Sequence, residues 1–501
     1  MDMLFDPIAN YARSTPARLA VEDMADGRRW NWRELHQAVD RLAAWLVEEF
    51  GPNSGARIAT LTKNCAEMVV LRYAAVRGGC IFVPFNWRLA SAEIEALAQD
   101  AEPAVVFPQA GFTAPAAAQR VIPIEQMLQL GEAGSAPPAD ARRRFDETSC
   151  LLYTSGTSGR PKGVMLSEFN AFWGATGFIL GNDVSMHSRF LCDMPLFHTA
   201  GLHAACRTPI QAGASVYVTP GFDPQLTLER LSDPELGITH YFSVPQMAAT
   251  LWNQPSFDAE KLRNIRVWAI GGAPNPKAQS ERFVAAGVRI GEGFGMSETG
   301  SNFGMPVSDP ETLLAKAGSC GLPWMTIEPK IADEDGTPLP DGETGELWLR
   351  GPSVALGYWN QPELTATAFP DGWFRTGDAA MRDADGFYYI MDRKKDMYIS
   401  GGENVYPAEV EAALAELPEV AEAAIVGVPD ERWGEVGRAY VIAAPGKSIT
   451  AEQVIAHCTA RLAKFKVPKT AVITDQIQRT ASGKVQNHVL RARALEELGL
   501  S

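Results

Sequence analysis

Short apolar runs of strand character alternate, over most of this chain, with segments whose apolar residues recur at helical spacing. Residues 57–61 and 104–107 read as strands, and residues 30–50 as an amphipathic helix with Leu35, Val39, Leu42 and Leu46 on one face. Such alternation needs crossover connections, which means a layered α/β domain built on parallel strands. The pattern pauses over residues 110–141, rich in Ala, Pro and Gln and expected at the surface. It resumes over 213–300, with strands expected at 214–218 and 266–270. After Gly318, turns and strands such as 345–350 indicate a smaller β-rich unit. The last hundred or so residues predict a helix at 407–417 and strands at 421–428 and 439–444, a compact α+β module with its own core. At 501 residues the chain is longer than one hydrophobic core supports, so more than one domain is expected.

The formal charge of -15 argues against a nucleic-acid surface, which needs clustered Lys and Arg. Anionic substrates must therefore be met by locally placed cations and backbone donors. The N-terminus lacks the basic-then-apolar pattern of a signal peptide. The apolar stretches are short or interrupted, by Arg72 and Arg77 among others, so no transmembrane segment is expected. Seven cysteines without CxxC spacing fit reduced, buried thiols and a cytoplasmic setting. With no paired Cys and no HExxH, a zinc site is not expected.

Four clusters carry chemistry. In Tyr153-Thr154-Ser155-Gly156-Thr157-Ser158-Gly159-Arg160-Pro161-Lys162-Gly163, glycines let backbone N–H groups approach an anion, hydroxyls add donors, and Lys162 adds a positive charge. The spacing is not that of a Walker A loop, and a flexible surface linker is the competing reading. Gly293-Phe294-Gly295-Met296-Ser297-Glu298-Thr299-Gly300 offers a ring for base stacking and a carboxylate suited to Mg²⁺, or else a plain turn beside a core aromatic. The third cluster joins Trp373-Phe374-Arg375-Thr376-Gly377-Asp378 to Asp392-Arg393-Lys394-Lys395-Asp396, which alone reads as a turn and a solvated charged face. The fourth, Arg479-Thr480-Ala481-Ser482-Gly483-Lys484, alone reads as an exposed loop tip.

In this order and at these separations the clusters resemble the adenylate-forming superfamily of acyl-CoA synthetases, luciferases and peptide-synthetase adenylation domains. The resemblance extends over essentially the whole chain. It takes in Pro195-Leu196-Phe197-His198-Thr199-Ala200-Gly201, Gly271-Gly272-Ala273-Pro274, Gly357-Tyr358-Trp359 and Gly401-Gly402-Glu403-Asn404-Val405-Tyr406-Pro407. It implies a large N-terminal AMP-binding domain, residues 1–393, and a small mobile C-terminal domain, residues 394–501, with the site in the cleft between them. It further implies an AMP-forming acid:CoA ligase working on ATP, Mg²⁺, coenzyme A and a small-molecule carboxylic acid. Thr154, Ser155, Gly156, Thr157, Ser158, Gly159 and Lys162 would close over the β- and γ-phosphates. Phe294 with Gly272 and Ala273 would sandwich adenine beside Gly295, while Ser297 would touch the α-phosphate and Glu298 would hold Mg²⁺. Asp378, helped by Arg393, would bind the ribose. Lys484 would reach the acyl carboxylate and α-phosphate, and Lys395 would be the hinge. Gly401 and Gly402 would line the pantetheine channel. His198, Thr199, Tyr241 and Gly271 would line the acid pocket, with a plain buried histidine the alternative for His198.

Two positions depart from the family pattern: Glu168 stands where many relatives carry His, and Gln478 where Pro commonly precedes Arg479. Loading of a carrier protein and a catalytically silent nucleotide-binding relative are the competing functions. No carrier segment follows Lys484, and a silent relative predicts loss of Lys484 or Glu298. Pocket walls expected at 197–201, 241–245 and 269–273 are mainly apolar and aromatic, without Arg or Lys for a second carboxylate. On that basis a fatty acid of medium or longer chain leads, an aryl or phenylpropanoid acid follows closely, and acetate or a dicarboxylate is disfavoured. A homodimer is left open.

Overall fold

A computed structural model of the chain describes residues 5–500 apart from 155–160, 274, 394–395, 401–402, 431, 463 and 480–484, and without the side chains of 392, 393, 403 and 404. Among the described residues the strands form four sheets. The largest runs from Leu322–Pro323 at one edge through Gly300–Gly304, Ile290–Met296, Val267–Ile270 and His240–Ser243 to Arg189–Cys192, Ser215–Val218 and Leu19–Asp23, ending at Arg29–Asn31. Its central strands are parallel, as the alternation demanded. A second sheet sets Arg57–Leu61 parallel to both Ile81–Pro84 and Val105–Pro108. It continues through Thr148–Thr154 and Lys162–Ser167 to Gly357–Tyr358. The β-rich unit is a four-stranded antiparallel sheet, Glu328–Ala332, Thr344–Arg350, Phe374–Arg382 and Tyr388–Arg393. The C-terminal module pairs Val420–Asp430 with Gly434–Ala443 under helices Pro407–Ala415, Ala451–Arg461 and Asn487–Glu497. It has its own apolar clusters, separate from those of the large domain.

Each strand and helix expected from the sequence is present within a few residues of its expected bounds. The long helix runs Trp32–Phe50; Asn31 accepts from Glu34 N–H and Glu34 from Asn31 N–H, both at 2.9 Å, a capping box that fixes where it starts. The stretch 110–141 lies less on the surface than expected, because Ile122, Ile124 and Met127 pack into the main core. No helix among the described residues is long and apolar enough to cross a membrane.

Helix Ala66–Arg77 is buried on every side, charged residues included. Such a helix needs partners for each charge. Arg77 donates to Asp6 at 2.7 and 2.9 Å and to Asp40 at 2.6 Å, clamping helices Pro7–Ser14 and Trp32–Phe50 onto it. Burial alone raises the pKa of Asp6, but Arg77 outweighs it and holds the carboxyl at about 2. Its contribution to stability is therefore complete above its ordinary 3.8 and is lost as the pH falls towards about 2. Arg77→Met removes the main partner of two half-buried carboxylates, Arg142 still reaching Asp6, and is expected to cost about 1–3 kcal/mol. Hydrogen exchange should show Pro7–Ser14 losing protection first; unchanged protection there would contradict the clamp.

Candidate active site

The phosphate loop joins two antiparallel strands whose last pair is Thr154 opposite Lys162. Ser155, Gly156, Thr157, Ser158 and Gly159 lie outside the described residues, as do Lys395, Gly401, Gly402 and Lys484. Lys162 begins strand Lys162–Ser167, whose outer edge takes Gly357–Tyr358 in the register Tyr358 opposite Val164. That pairing sets the Lys162 ammonium 5.5 Å from the centre of the Tyr358 ring. The Tyr358 hydroxyl donates to Glu298 Oε1 at 2.9 Å, and the Glu298 carbonyl accepts from Ala355 N–H at 2.7 Å. One buried tyrosine thus joins the cation at the end of the phosphate loop to the carboxylate of the second motif. In the sequence Tyr358 belongs to the Gly357-Tyr358-Trp359 pattern, which by itself implies no role for it.

Phe294 sits on strand Ile290–Met296, not on a loop, opposite Phe303. The glycines around it are there for close approach: a Cβ on Gly293 would stand 2.7 Å from the Phe303 carbonyl, and one on Gly295 2.3 Å from that of Gly300. The Phe294 ring packs against the core of the four-stranded sheet. Asp378, 3% exposed, lies on a strand of that sheet and its backbone pairs with Arg393. The Arg393 side chain is outside the described residues. Gly271 and Gly272 follow strand Val267–Ile270, and Gly272 adopts φ +86°, open to glycine. Ala273 follows, half-buried.

A small pocket adjoins the second motif, with Ser297, Gly300, Thr199, Gly174, Phe178 and His203 among its walls. It brings Thr199 and Ser297 together. The described lining does not include Tyr241, Gly271 or His198. Tyr241 is buried and donates to Asp193 Oδ2 at 3.0 Å. The His198 ring lies 4.7 Å from that of Phe197.

Behind His203 the departure at Glu168 finds its explanation. Glu168 opens helix Glu168–Gly181 and is buried; its Oε2 accepts from Arg207 at 2.8 Å, and its Oε1 from Ser149 at 2.9 Å and from Arg72. Burial pushes its pKa up, but Arg207 and Arg72 hold it well below the usual carboxylate range. The signal for this cluster was an arginine inside an apolar run together with an acid where the family pattern has His.

All seven cysteines are free. Burial pushes the thiols of Cys150 and Cys206 up to about 12, so neither supplies a thiolate nucleophile.

The family model for AMP-binding enzymes matches residues 8–359, and that for the AMP-binding enzyme C-terminal domain matches 409–484. A feruloyl-CoA synthase of Amycolatopsis sp is 37% identical over 96% of this chain and 97% of its own. An indoleacetate–CoA ligase of Aromatoleum aromaticum is 34% identical over 97% and 96%. The o-succinylbenzoate CoA synthetase of Bacillus subtilis, solved with its acyl-adenylate intermediate, superposes with a TM-score of 0.87 at 30% identity, covering 97% of each chain. The chain therefore belongs to the AMP-binding enzyme family, as an adenylate-forming acyl-CoA synthetase. Its activity is AMP-forming ligation of a carboxylic acid to coenzyme A, with ATP as co-substrate.

Tyr358→Phe keeps the ring beside Lys162 and removes the donor to Glu298. It is expected to raise KM for Mg·ATP and lower kcat/KM for ATP by roughly tenfold, the worth of a hydrogen bond to a charged group. Unchanged ATP kinetics would separate Tyr358 from the site.

Proposed function

We propose that the enzyme adenylates an aryl or arylalkanoic acid in the cavity beside Ser297 and passes the acyl group to the thiol of coenzyme A. The mixed polar and apolar pocket beside Ser297, with Thr199, Phe178 and His203 among its walls, supports this reading together with the acids for which the relatives are named. Between the fatty acid and the aryl acid expected from the sequence, this reading takes the aryl acid. The feruloyl, indoleacetate and o-succinylbenzoate enzymes are aryl-acid ligases by name, which supports the same choice.

In this reading, residues 154–162 close over the β- and γ-phosphates. Phe294, Gly272 and Ala273 hold adenine, and Asp378 with Arg393 takes the ribose hydroxyls. The acid's carboxylate oxygen bonds to the α-phosphorus as the bridging P–O bond breaks and pyrophosphate leaves. Two anions must meet for that to happen, so cations have to offset their repulsion and collect charge on the bridging oxygen. Lys484 does so at the α-phosphate, Lys162 at the departing pyrophosphate, and Ser297 donates to the α-phosphate. Among the described residues no group of three or more His, Cys, Asp or Glu gathers as a metal cage. A single buried carboxylate, Glu298, fits Mg²⁺, which takes most of its ligands from phosphate and water. Bound there, Mg²⁺ would supply further charge neutralisation. In the second half-reaction the pantetheine thiolate, a minor fraction at neutral pH for a thiol of pKa about 8.5, attacks the acyl carbon and AMP leaves. Lys395 is the hinge between the two steps, and Gly401 and Gly402 line the thiol's channel. Use of ATP and coenzyme A, with every cysteine free, suits the cytoplasm.

A panel of acids assayed for CoA-dependent AMP and pyrophosphate release tests the substrate class. Aryl and arylalkanoic acids are expected to give the highest kcat/KM; dominance of long-chain fatty acids would overturn the reading. Lys484→Ala is expected to slow acyl-adenylate formation by roughly a hundred- to a thousand-fold, while thioester formation from pre-made acyl-adenylate proceeds at the wild-type rate. Equal loss in both assays would refute the division of roles.

A further inference from the structure

Helix Ala66–Arg77 meets the π-wound segment Ala200–Arg207 at a small cavity, which Arg72 and Tyr73 line from the helix and His203, Cys206 and Arg207 from the segment. Apolar side chains close the rest, and the space holds one water molecule or one ion of similar size. His203 also walls the pocket beside Ser297, and π-wound turns are frequent at functional sites.

The charges around this cavity do not balance. Arg72 and Arg207, 3% and 4% exposed, share the one carboxylate of Glu168. Both oxygens of Glu168 are already engaged, the Ser149 hydroxyl being a third donor to it. The other titratable groups here bring no negative charge. Burial pushes the thiols of Cys150 and Cys206 up to about 12 and raises the Tyr73 phenol too, so all three stay neutral. Burial and the two guanidinium groups hold the His203 pKa down at about 3, so its ring is neutral as well. A guanidinium does not give up its proton in a protein. One positive charge is therefore left over.

The unmade hydrogen bonds belong to the same side chains. Arg72 Nη1, Arg207 Nε and Nη2, His203 Nε2 and the Tyr73 hydroxyl have no hydrogen-bond partner among the described residues, and all four residues line the cavity. A water molecule there accepts two hydrogen bonds at most and cancels no charge. A monatomic anion of about the same size accepts from every donor around it and offsets the surplus guanidinium.

We propose that this cavity is a halide site, taking chloride in the cell, held by the guanidinium groups of Arg72 and Arg207. In the tautomer that protonates Nε2, His203 adds a donor, and the Tyr73 hydroxyl adds another. An ion of this size needs no passage from the acid's pocket, because it enters as the chain folds or when the π segment opens locally. Glu168 supplies half of the negative charge that the two arginines call for, and the halide supplies the other half. The ion ties the end of segment 200–207 to helix Ala66–Arg77, and so steadies the wall that His203 presents to the pocket beside Ser297.

The test is thermal unfolding of the full-length enzyme, dialysed free of halide, in sodium chloride, sodium bromide and sodium gluconate at equal concentration and pH. Gluconate is too large for the cavity. Chloride and bromide stabilise the folded state by binding it, and are expected to raise the midpoint by about 2–4 °C over gluconate. Arg207→Met leaves Arg72 and Glu168 as a balanced pair, and its midpoint is expected to be the same in all three salts. Equal midpoints in the wild type would mean that water fills the cavity, and an undiminished halide shift in Arg207→Met would place the ion elsewhere. Either result overturns the proposal. If the variant does not fold, anomalous scattering from wild-type crystals grown in bromide decides instead. A peak among Arg72, Arg207 and His203 supports the site; bromide at the surface only, or nowhere, overturns it.

Discussion

Strand Lys162–Ser167 is hydrogen-bonded along both edges, to Thr148–Thr154 and to Gly357–Tyr358, and the elements of the cleft take their positions from it. Its first residue is the lysine that ends the phosphate loop. Its partner Tyr358 reaches Glu298. Its last residue, Ser167, caps the next helix by accepting from Asn170 N–H at 3.1 Å, which brings Glu168 into that helix's first turn. A residue slipped in either pairing would turn Tyr358 to the other face of the sheet and part Lys162 from Glu298. Register in one short strand thus fixes groups that lie about two hundred residues apart in sequence.

The small domain is attached on different terms. Its strands and helices close around their own apolar clusters, so it can change orientation without opening the large domain's core. Among the described residues a polar bridge reaches across. Arg479 pairs with Glu422 of its own domain, and it lies 3.0 and 3.2 Å from the amide oxygen of Gln246, oriented to accept, on the exposed face of the large domain. Exposed contacts of this kind contribute little to stability and break easily. That suits the hinge role proposed for Lys395, which requires the small domain to change orientation.

The sequence carried the fold through periodicity and the reaction through the order of its glycine-rich clusters, because both are local properties of the chain. Helix Trp32–Phe50 and strand Arg57–Leu61 could be bounded closely for this reason. What it did not carry were partnerships between distant residues. Glu168 stood out as an anomaly, yet its meaning depends on Arg72 and Arg207, which are 96 and 39 residues away. Tyr358 belonged to a recognised pattern, but its contact with Glu298 spans 60 residues. The glycines around Phe294 fit a turn in sequence as well as they fit what the fold uses them for, the close approach of two antiparallel backbones. Apolar character at Tyr241 and the segment around it does not distinguish a pocket wall from core. Burial in the core against Trp268 gives an identical sequence signature.

A chain of formal charge -15 that handles three anionic substrates must concentrate its positive charge where water is scarce. Outside the protein the net field repels ATP, and salt screens that repulsion within about 10 Å. Inside the cleft the effective dielectric is lower, and a single lysine or guanidinium acts far more strongly than it would at the surface. Arg77 shows the balanced use of such a charge, its buried guanidinium divided between Asp6 and Asp40 to hold helices together. Arg72, five residues earlier on the same helix, shares its only carboxylate with Arg207 and keeps donors unspent. One helix therefore carries a satisfied arginine facing the scaffold and an unsatisfied one facing the cavity. That contrast shows two uses of a buried guanidinium on one helix, one fully paired and one shared with a second arginine.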